Sequence, residues 1–290
     1  MRHLLHRPAG DRPPARAFTA RGPVRILAMS MVWLACAPPE SAPSNGPVRP
    51  AEMAAPTEVS ELEVEVLRKL PHSERSYTQG FLISDGWVYE SRGRYGESGL
   101  DRWDPETGRV MQAVDLDPDL FGEGLELIGD SLWQLTWQSG RVLRRDRETF
   151  EVLEEFSLDG EGWGLAYDGT RLIVSDGTHE LRFFDPTTFE AIGRLAVTRG
   201  ARPQDQLNEL EWVESEGSLY ANVFQTDEIV RIDLGTGRVT AVADLSGLLS
   251  AEEARKADVL NGIAFWAARN SFLVTGKYWP YSFEVRFSDP

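Results

Sequence analysis

Glu123-Gly124-Leu125-Glu126-Leu127-Ile128-Gly129-Asp130-Ser131-Leu132-Trp133-Gln134-Leu135 decides the fold, because the same phrase returns four more times along the chain. A polar or aromatic lead residue opens it, a turn follows, and an apolar strand pattern closes it. The other copies open at Gln79-Gly80-Phe81-Leu82, Trp163-Gly164-Leu165, Asn208-Glu209-Leu210 and Asn261-Gly262-Ile263. Their turns lead into Trp87-Val88-Tyr89, Leu172-Ile173-Val174, Leu219-Tyr220-Ala221 and Phe272-Leu273-Val274. Successive lead residues stand 44, 40, 45 and 53 residues apart. A strand-only repeat of about 40–50 residues predicts an all-β fold, a five-bladed β-propeller of four-stranded blades.

A second strand pair follows the first in each repeat, joined by turns of one type: Asp104-Pro105-Glu106-Thr107-Gly108, Asp146-Arg147-Glu148-Thr149-Phe150, Asp185-Pro186-Thr187-Thr188-Phe189 and Asp233-Leu234-Gly235-Thr236-Gly237. Asp opens such turns because its carboxylate accepts from backbone N–H groups just ahead. The fifth repeat lacks a fourth strand, whereas Leu62 to Leu70 is an alternating strand with no partner of its own. It is expected to complete the last blade and to cover two open edges. Ser250 to Lys256, with Ser250 and Glu253 at capping-box spacing, is the one helical candidate.

Residues 1–35 carry six Arg against one acid, so the remainder holds a net charge of −21 out of −16 overall. That balance disfavours nucleic acid and anionic bilayers as partners. The Arg-rich start, the apolar run Ile26 to Ala35 and Leu34-Ala35-Cys36 resemble a bacterial lipoprotein signal. The expected organisation is a signal peptide over 1–35, lipidation at Cys36, a Pro-, Ala- and Ser-rich tether over 36–58 and the propeller over 59–290. The protein is then exported to the periplasm and meets the membrane only through its lipid.

In a propeller blade the innermost strand begins beside the end of its antiparallel neighbour. Gln79, Glu123, Trp163, Asn208 and Asn261 should therefore share a face with Glu90, Arg92, Trp137, Asp176, Phe224, Gln225, Lys277, Tyr278 and Trp279. Carboxamides, a carboxylate, an amine and aromatic rings in one place make a pocket for a small molecule or a peptide terminus. His72 and His179, the only histidines beyond the leader, stand far apart, so no metal and no cofactor is expected. P-loop, dinucleotide and Gly-x-Ser-x-Gly patterns are missing from the sequence. A lactone- or sugar-processing propeller would want several acids on its axis, and of the five lead residues only Glu123 is acidic.

Pro71-His72, Tyr77-Thr78-Gln79-Gly80, Phe121-Gly122-Glu123-Gly124-Leu125, Leu135-Thr136-Trp137, Gly162-Trp163-Gly164-Leu165, Ser175-Asp176-Gly177, Leu207-Asn208-Glu209-Leu210-Glu211, Ala221-Asn222-Val223-Phe224-Gln225, Asp258-Val259-Leu260-Asn261-Gly262-Ile263 and Thr275-Gly276-Lys277 together resemble the plant-type and bacterial glutaminyl-peptide cyclotransferases. The resemblance runs from about residue 66 to 287. It implies conversion of the N-terminal glutamine of a peptide or protein to pyroglutamate, with release of ammonia. The family's active-site pattern falls on Gln79, Glu123, Trp137, Trp163, Asn208 and Lys277. Tyr77 and Phe224 replace an expected Phe and Trp and keep the wall aromatic. Glu123, Lys277 and Asn208 are then the catalytic candidates, with Tyr77, Gln79, Trp137, Trp163 and Phe224 binding the substrate. The alternative is a non-catalytic propeller that binds a peptide or protein partner on the same face; such a binder would have no need of both Glu123 and Lys277.

Overall fold

Twenty-two strands and no helix make up the described residues, 58–290, of the computed structural model. The fold is all-β. The first strand, β1, spans Ser60–Pro71. Three four-stranded antiparallel sheets follow in chain order. The first holds β2 (Thr78–Ser84), β3 (Trp87–Arg92), β4 (Gly99–Trp103) and β5 (Val110–Asp115). The second holds β6 (Gly122–Ile128), β7 (Ser131–Thr136), β8 (Arg141–Asp146) and β9 (Val152–Ser157). The third holds β10 (Leu165–Tyr167), β11 (Leu172–Val174), β12 (Glu180–Phe184) and β13 (Ala191–Ala196). Burial falls from the first two strands of each sheet to the fourth, where Met111, Leu153 and Ile192 face solvent.

The remaining strands form one continuous sheet. A short ribbon, β14 (Thr198–Arg199) and β15 (Arg202–Pro203), leads to β16 (Leu207–Val213), β17 (Ser218–Val223), β18 (Glu228–Asp233) and β19 (Arg238–Asp244). After these come β20 (Leu260–Trp266), β21 (Ser271–Gly276) and β22 (Tyr281–Ser288). Between the two groups lies β1, parallel to β19 from Ser60↔Ala241 to Leu62↔Ala243 and antiparallel to β22 from Glu63↔Ser288 to Pro71↔Tyr281. Leu62 and Leu70 are its buried anchors. Past the end of β1, buried His72 meets Glu90 at 3.2 Å and the Trp279 carbonyl at 2.7 Å. Burial opposes a charge on His72, but the Glu90 carboxylate raises its pKa above the ordinary imidazole value.

Four of the five repeated phrases place glycine second, and Gly164 shows the reason: a Cβ there would run into the Asn208 carbonyl of the next copy. The first strands of neighbouring sheets thus approach at backbone contact. In the fourth copy Glu209 takes the glycine's place and reaches back to the first, accepting from the Phe81 N–H at 2.7 Å. Gly164→Ala is expected to cost about 1–3 kcal/mol by overpacking. Its melting temperature should fall by several degrees, and an unchanged melting curve would mean that the first strands can part without cost.

The helix expected at 250–256 is a correction. Its capping contacts form, Ser250 N–H to Glu253 Oε2 at 2.7 Å and Glu253 N–H to Ser250 Oγ at 3.3 Å, but the segment is a run of turns. One turn without an apolar face to bury does not repay helix nucleation. The expected signal peptide, Cys36 and nearly all of the tether lie outside the described residues.

Candidate active site

Register shifts in the sheets aim the lead side chains. In β2, β6, β16 and β20 the pairing with the second strand slips at the repeated phrase, at Thr78/Gly80, Gly122/Leu125, Leu207/Leu210 and Leu260/Ile263. Bulges of this kind turn a side chain out of the strand's alternation. They release Gln79, Glu123 and Asn208 towards one place, and Trp163, just ahead of β10, joins them. The ends of the second strands supply Trp137 after β7, Phe224 after β17 and Lys277 after β21.

All eight site residues expected from sequence, Tyr77, Gln79, Glu123, Trp137, Trp163, Asn208, Phe224 and Lys277, line one cavity of about 260 Å³, together with Phe121. Phe121 was visible only as part of the Phe-Gly-Glu-Gly motif. Aromatic edges interlock around the cavity: Phe121 meets Tyr77 at 6.1 Å and Trp137 at 5.5 Å, and Trp163 meets Phe224 at 5.4 Å. Gly177, at φ +80°, leaves the space against which the Trp163 indole lies.

Other members of the expected face turn away. Asn261 is fully buried and donates to the Thr78 carbonyl at 3.0 Å and to Gln79 Oε1 at 3.3 Å, behind the cavity wall. Glu90 accepts from Ser76, Thr78 and Trp103 in its own buried network. Arg92 pairs with Asp101, while Asp176 caps the turn at Thr178. Gln225 is exposed, and Trp279 is core.

Within the cavity Gln79 Nε2 donates to Glu123 Oε1 at 3.0 Å, so the carboxamide held by Asn261 in turn holds the carboxylate. Glu123 is 4% exposed. Burial drives its pKa well above the ordinary carboxylate value; Lys277 pulls it back and Glu161 adds to the rise. Lys277, 3% exposed, lies 4.7 Å from the Tyr77 ring centre and 5.1 Å from that of Phe224. Burial lowers the pKa of its ammonium, against the pull of Glu123, Asp258 and Glu209. Asn208 Oδ1 is buried without a hydrogen-bond partner. An orphaned acceptor on a cavity wall is a place for a ligand's N–H. Chemically, the arrangement can hold a small polar head in an aromatic sleeve, accept and return a proton at Glu123, and meet negative charge with Lys277.

Sequence reasoning missed Glu161. Its Oε2 accepts both indole N–H groups, from Trp137 at 2.8 Å and Trp163 at 2.9 Å, while Gln138 donates to Oε1 at 2.8 Å. Its place two residues before Trp163 was the only signal, and acids in loops are common. Among the described residues no group of His, Cys, Asp and Glu is arranged to hold a metal ion.

Comparison with known proteins points one way. Residues 36–287 match the glutamine cyclotransferase family. A glutaminyl-peptide cyclotransferase of Arabidopsis thaliana is 36% identical over 230 residues, 77% of this chain and 71% of that one. The crystal structure of Myxococcus xanthus glutaminyl cyclase aligns with a TM-score of 0.72 at 32% identity, over 80% of this chain and 100% of that one.

Proposed function

This chain belongs to the glutamine cyclotransferase family, and we propose that its Glu123 cavity is where the N-terminal glutamine of a peptide or protein closes into pyroglutamate. The activity is that of a glutaminyl-peptide cyclotransferase. The observation that carries the site is a buried carboxylate of raised proton affinity beside the unpartnered Asn208 acceptor, inside an aromatic sleeve.

The substrate arrives with its α-amine protonated and therefore unreactive. Glu123 takes a proton from that nitrogen, and its raised pKa makes the transfer less uphill than to an ordinary carboxylate. The freed lone pair attacks the substrate's own γ-carbonyl carbon. The new C–N bond closes the five-membered ring, and the carbonyl electron pair moves to oxygen, where Lys277 meets the negative charge. Glu123 returns the proton to the γ-nitrogen, and the oxygen's electron pair re-forms the carbonyl as the old C–N bond breaks. The regenerated carboxylate passes the ring nitrogen's second proton to the departing ammonia, so that a neutral lactam and an ammonium ion leave. Asn208 accepts from the substrate's γ-NH2, while Gln79 keeps Glu123 in register. Trp137, Trp163, Tyr77, Phe121 and Phe224 fold the side chain back upon the amine, a proximity effect.

Five blades around one axis complete the reading, with β1 as the last strand of the fifth. What supports it is the four-strand order of three sheets, the five bulged or leading phrases, and the pairing of β1 with β22. The leader supports export and a lipid on Cys36, with the domain on a tether in the periplasm.

The test is incubation of the purified domain, in chelator-containing buffer, with a glutaminyl peptide. Ammonia should appear in step with a 17-Da loss of peptide mass, as loss of NH3 requires. A peptide bound but returned unchanged would make the cavity a binding site only.

A further inference from the structure

The cavity has two electrical halves. Lys277 occupies the face of Tyr77 and Phe224. Among the described residues no Lys or Arg lies over Trp137 or Trp163. Those two indoles instead share a single carboxylate oxygen, Glu161 Oε2, at 2.8 and 2.9 Å. We propose that Glu161 is a positioning residue that acts through the two tryptophans, making their side of the cavity the binding place for the substrate's α-ammonium and leaving the carboxamide end to Lys277.

Two physical effects run through the same pair of bonds. First, a carboxylate that accepts two N–H groups fixes two otherwise free indole planes at once, since each charge-assisted bond is directional. Gln138 Nε2 on the other oxygen holds the carboxylate itself, and Arg182, donating to the Glu161 backbone carbonyl, holds the chain that carries it. Second, a negative charge on the indole nitrogen's hydrogen enriches the ring in electron density, and a cation is drawn to an electron-rich face. An ammonium placed over Tyr77 and Phe224 would instead meet Lys277. The substrate therefore has one favourable orientation, amine towards the tryptophans and carboxamide towards the lysine. Glu123 lines the same cavity and feels the charges of both Lys277 and Glu161, as a group passing a proton from one nitrogen to the other must.

For its natural substrate this rests on the cyclotransferase reading of the cavity, but an unreactive amine tests it apart from that reading. Norvaline amide has the α-ammonium and a propyl side chain but no γ-carboxamide to react. Its binding to wild-type protein and to each variant can be followed by titration calorimetry, whose signal does not depend on the indoles. The variant should bind the probe about tenfold more weakly, the size of a partly desolvated cation–π contact. With glutaminyl peptide, KM should rise by a similar factor while kcat stays within about threefold. In a Trp137→Phe, Trp163→Phe background, which lacks both indole N–H groups, the same Glu161→Gln change should leave probe affinity unmoved. Melting curves of each variant establish that the comparison is between folded proteins. Unchanged probe affinity in Glu161→Gln, or a loss that persists in the double-Phe background, would overturn the proposal. So would a fall in kcat with KM unaltered. A wild-type protein that fails to cyclise glutaminyl peptide, yet shows the probe result, would refute the cyclotransferase reading and leave the amine site standing.

Discussion

Glu123→Gln is expected to lower turnover of glutaminyl peptides by about 10²–10⁴-fold, the usual contribution of a general acid–base group. The substitution keeps the side chain's size and an acceptor for Gln79 Nε2, which now stands 3.0 Å from Glu123 Oε1. What it removes is the only carboxylate that lines the cavity, the group that carries a proton from the attacking amine to the departing nitrogen. A neutral amide in place of a buried carboxyl is also easy to house, so the melting temperature should hold or rise. KM should move far less than kcat, because Asn208 and the aromatic sleeve remain. Peptide kinetics alongside a melting curve decide the matter. A folded variant with wild-type turnover would take Glu123 out of the chemistry.

Deletion of residues 59–70 should bring the largest structural loss. Leu62 and Leu70 are 4% and 6% exposed, and burying two leucines contributes about 3–6 kcal/mol. That is a large share of the roughly 5–15 kcal/mol by which a domain is stable. The backbone ladder to β22 and the ion pairs of Arg68 with Glu106 and Glu284 would go as well. Strands β19 and β22 would then present open edges, which template association between chains. The truncated protein is expected to melt well below the full domain and to elute as aggregates on gel filtration. A monomer of unchanged stability would show that the sheet does not depend on β1.

Much of the architecture was legible because strands, tight turns and repeats are all local or periodic in sequence. Asp146 shows how: its carboxylate accepts from the N–H groups of Glu148 and Thr149, as the Asp-first turn requires. The gathering of Gln79, Glu123, Trp163, Asn208, Trp137, Phe224 and Lys277 in one cavity followed from knowing which strand ends are neighbours. The bulges were not legible, since a slip of register leaves no mark on composition. Asn208 and Asn261 both stand at such a slip, so what separates the one that reaches the cavity from the one spent on backbone carbonyls is the neighbouring strand each meets, which only the folded chain shows. Glu90 was misjudged for a related reason: its partner His72 lies eighteen residues back, on the far side of a turn and a strand. Glu161 had no pattern to betray it, because its meaning lies in two indoles that only the folded chain brings to one oxygen.

The pairing of β1 with β22 also has a consequence in time. Arg68 and Glu284 touch across 216 residues of chain, so this contact belongs to the slow, non-local kind. Bringing such distant segments together costs about 5 kcal/mol of loop-closure entropy beyond the fixed part. During synthesis β1 is made before every other strand of the sheet, and its antiparallel partner β22 is made after all of them. Every shorter nascent chain therefore lacks that partner, however well its earlier hairpins have formed. The sheet can lock around β1 only once β22 has been made, and until that moment it stays a thread that can still be pulled.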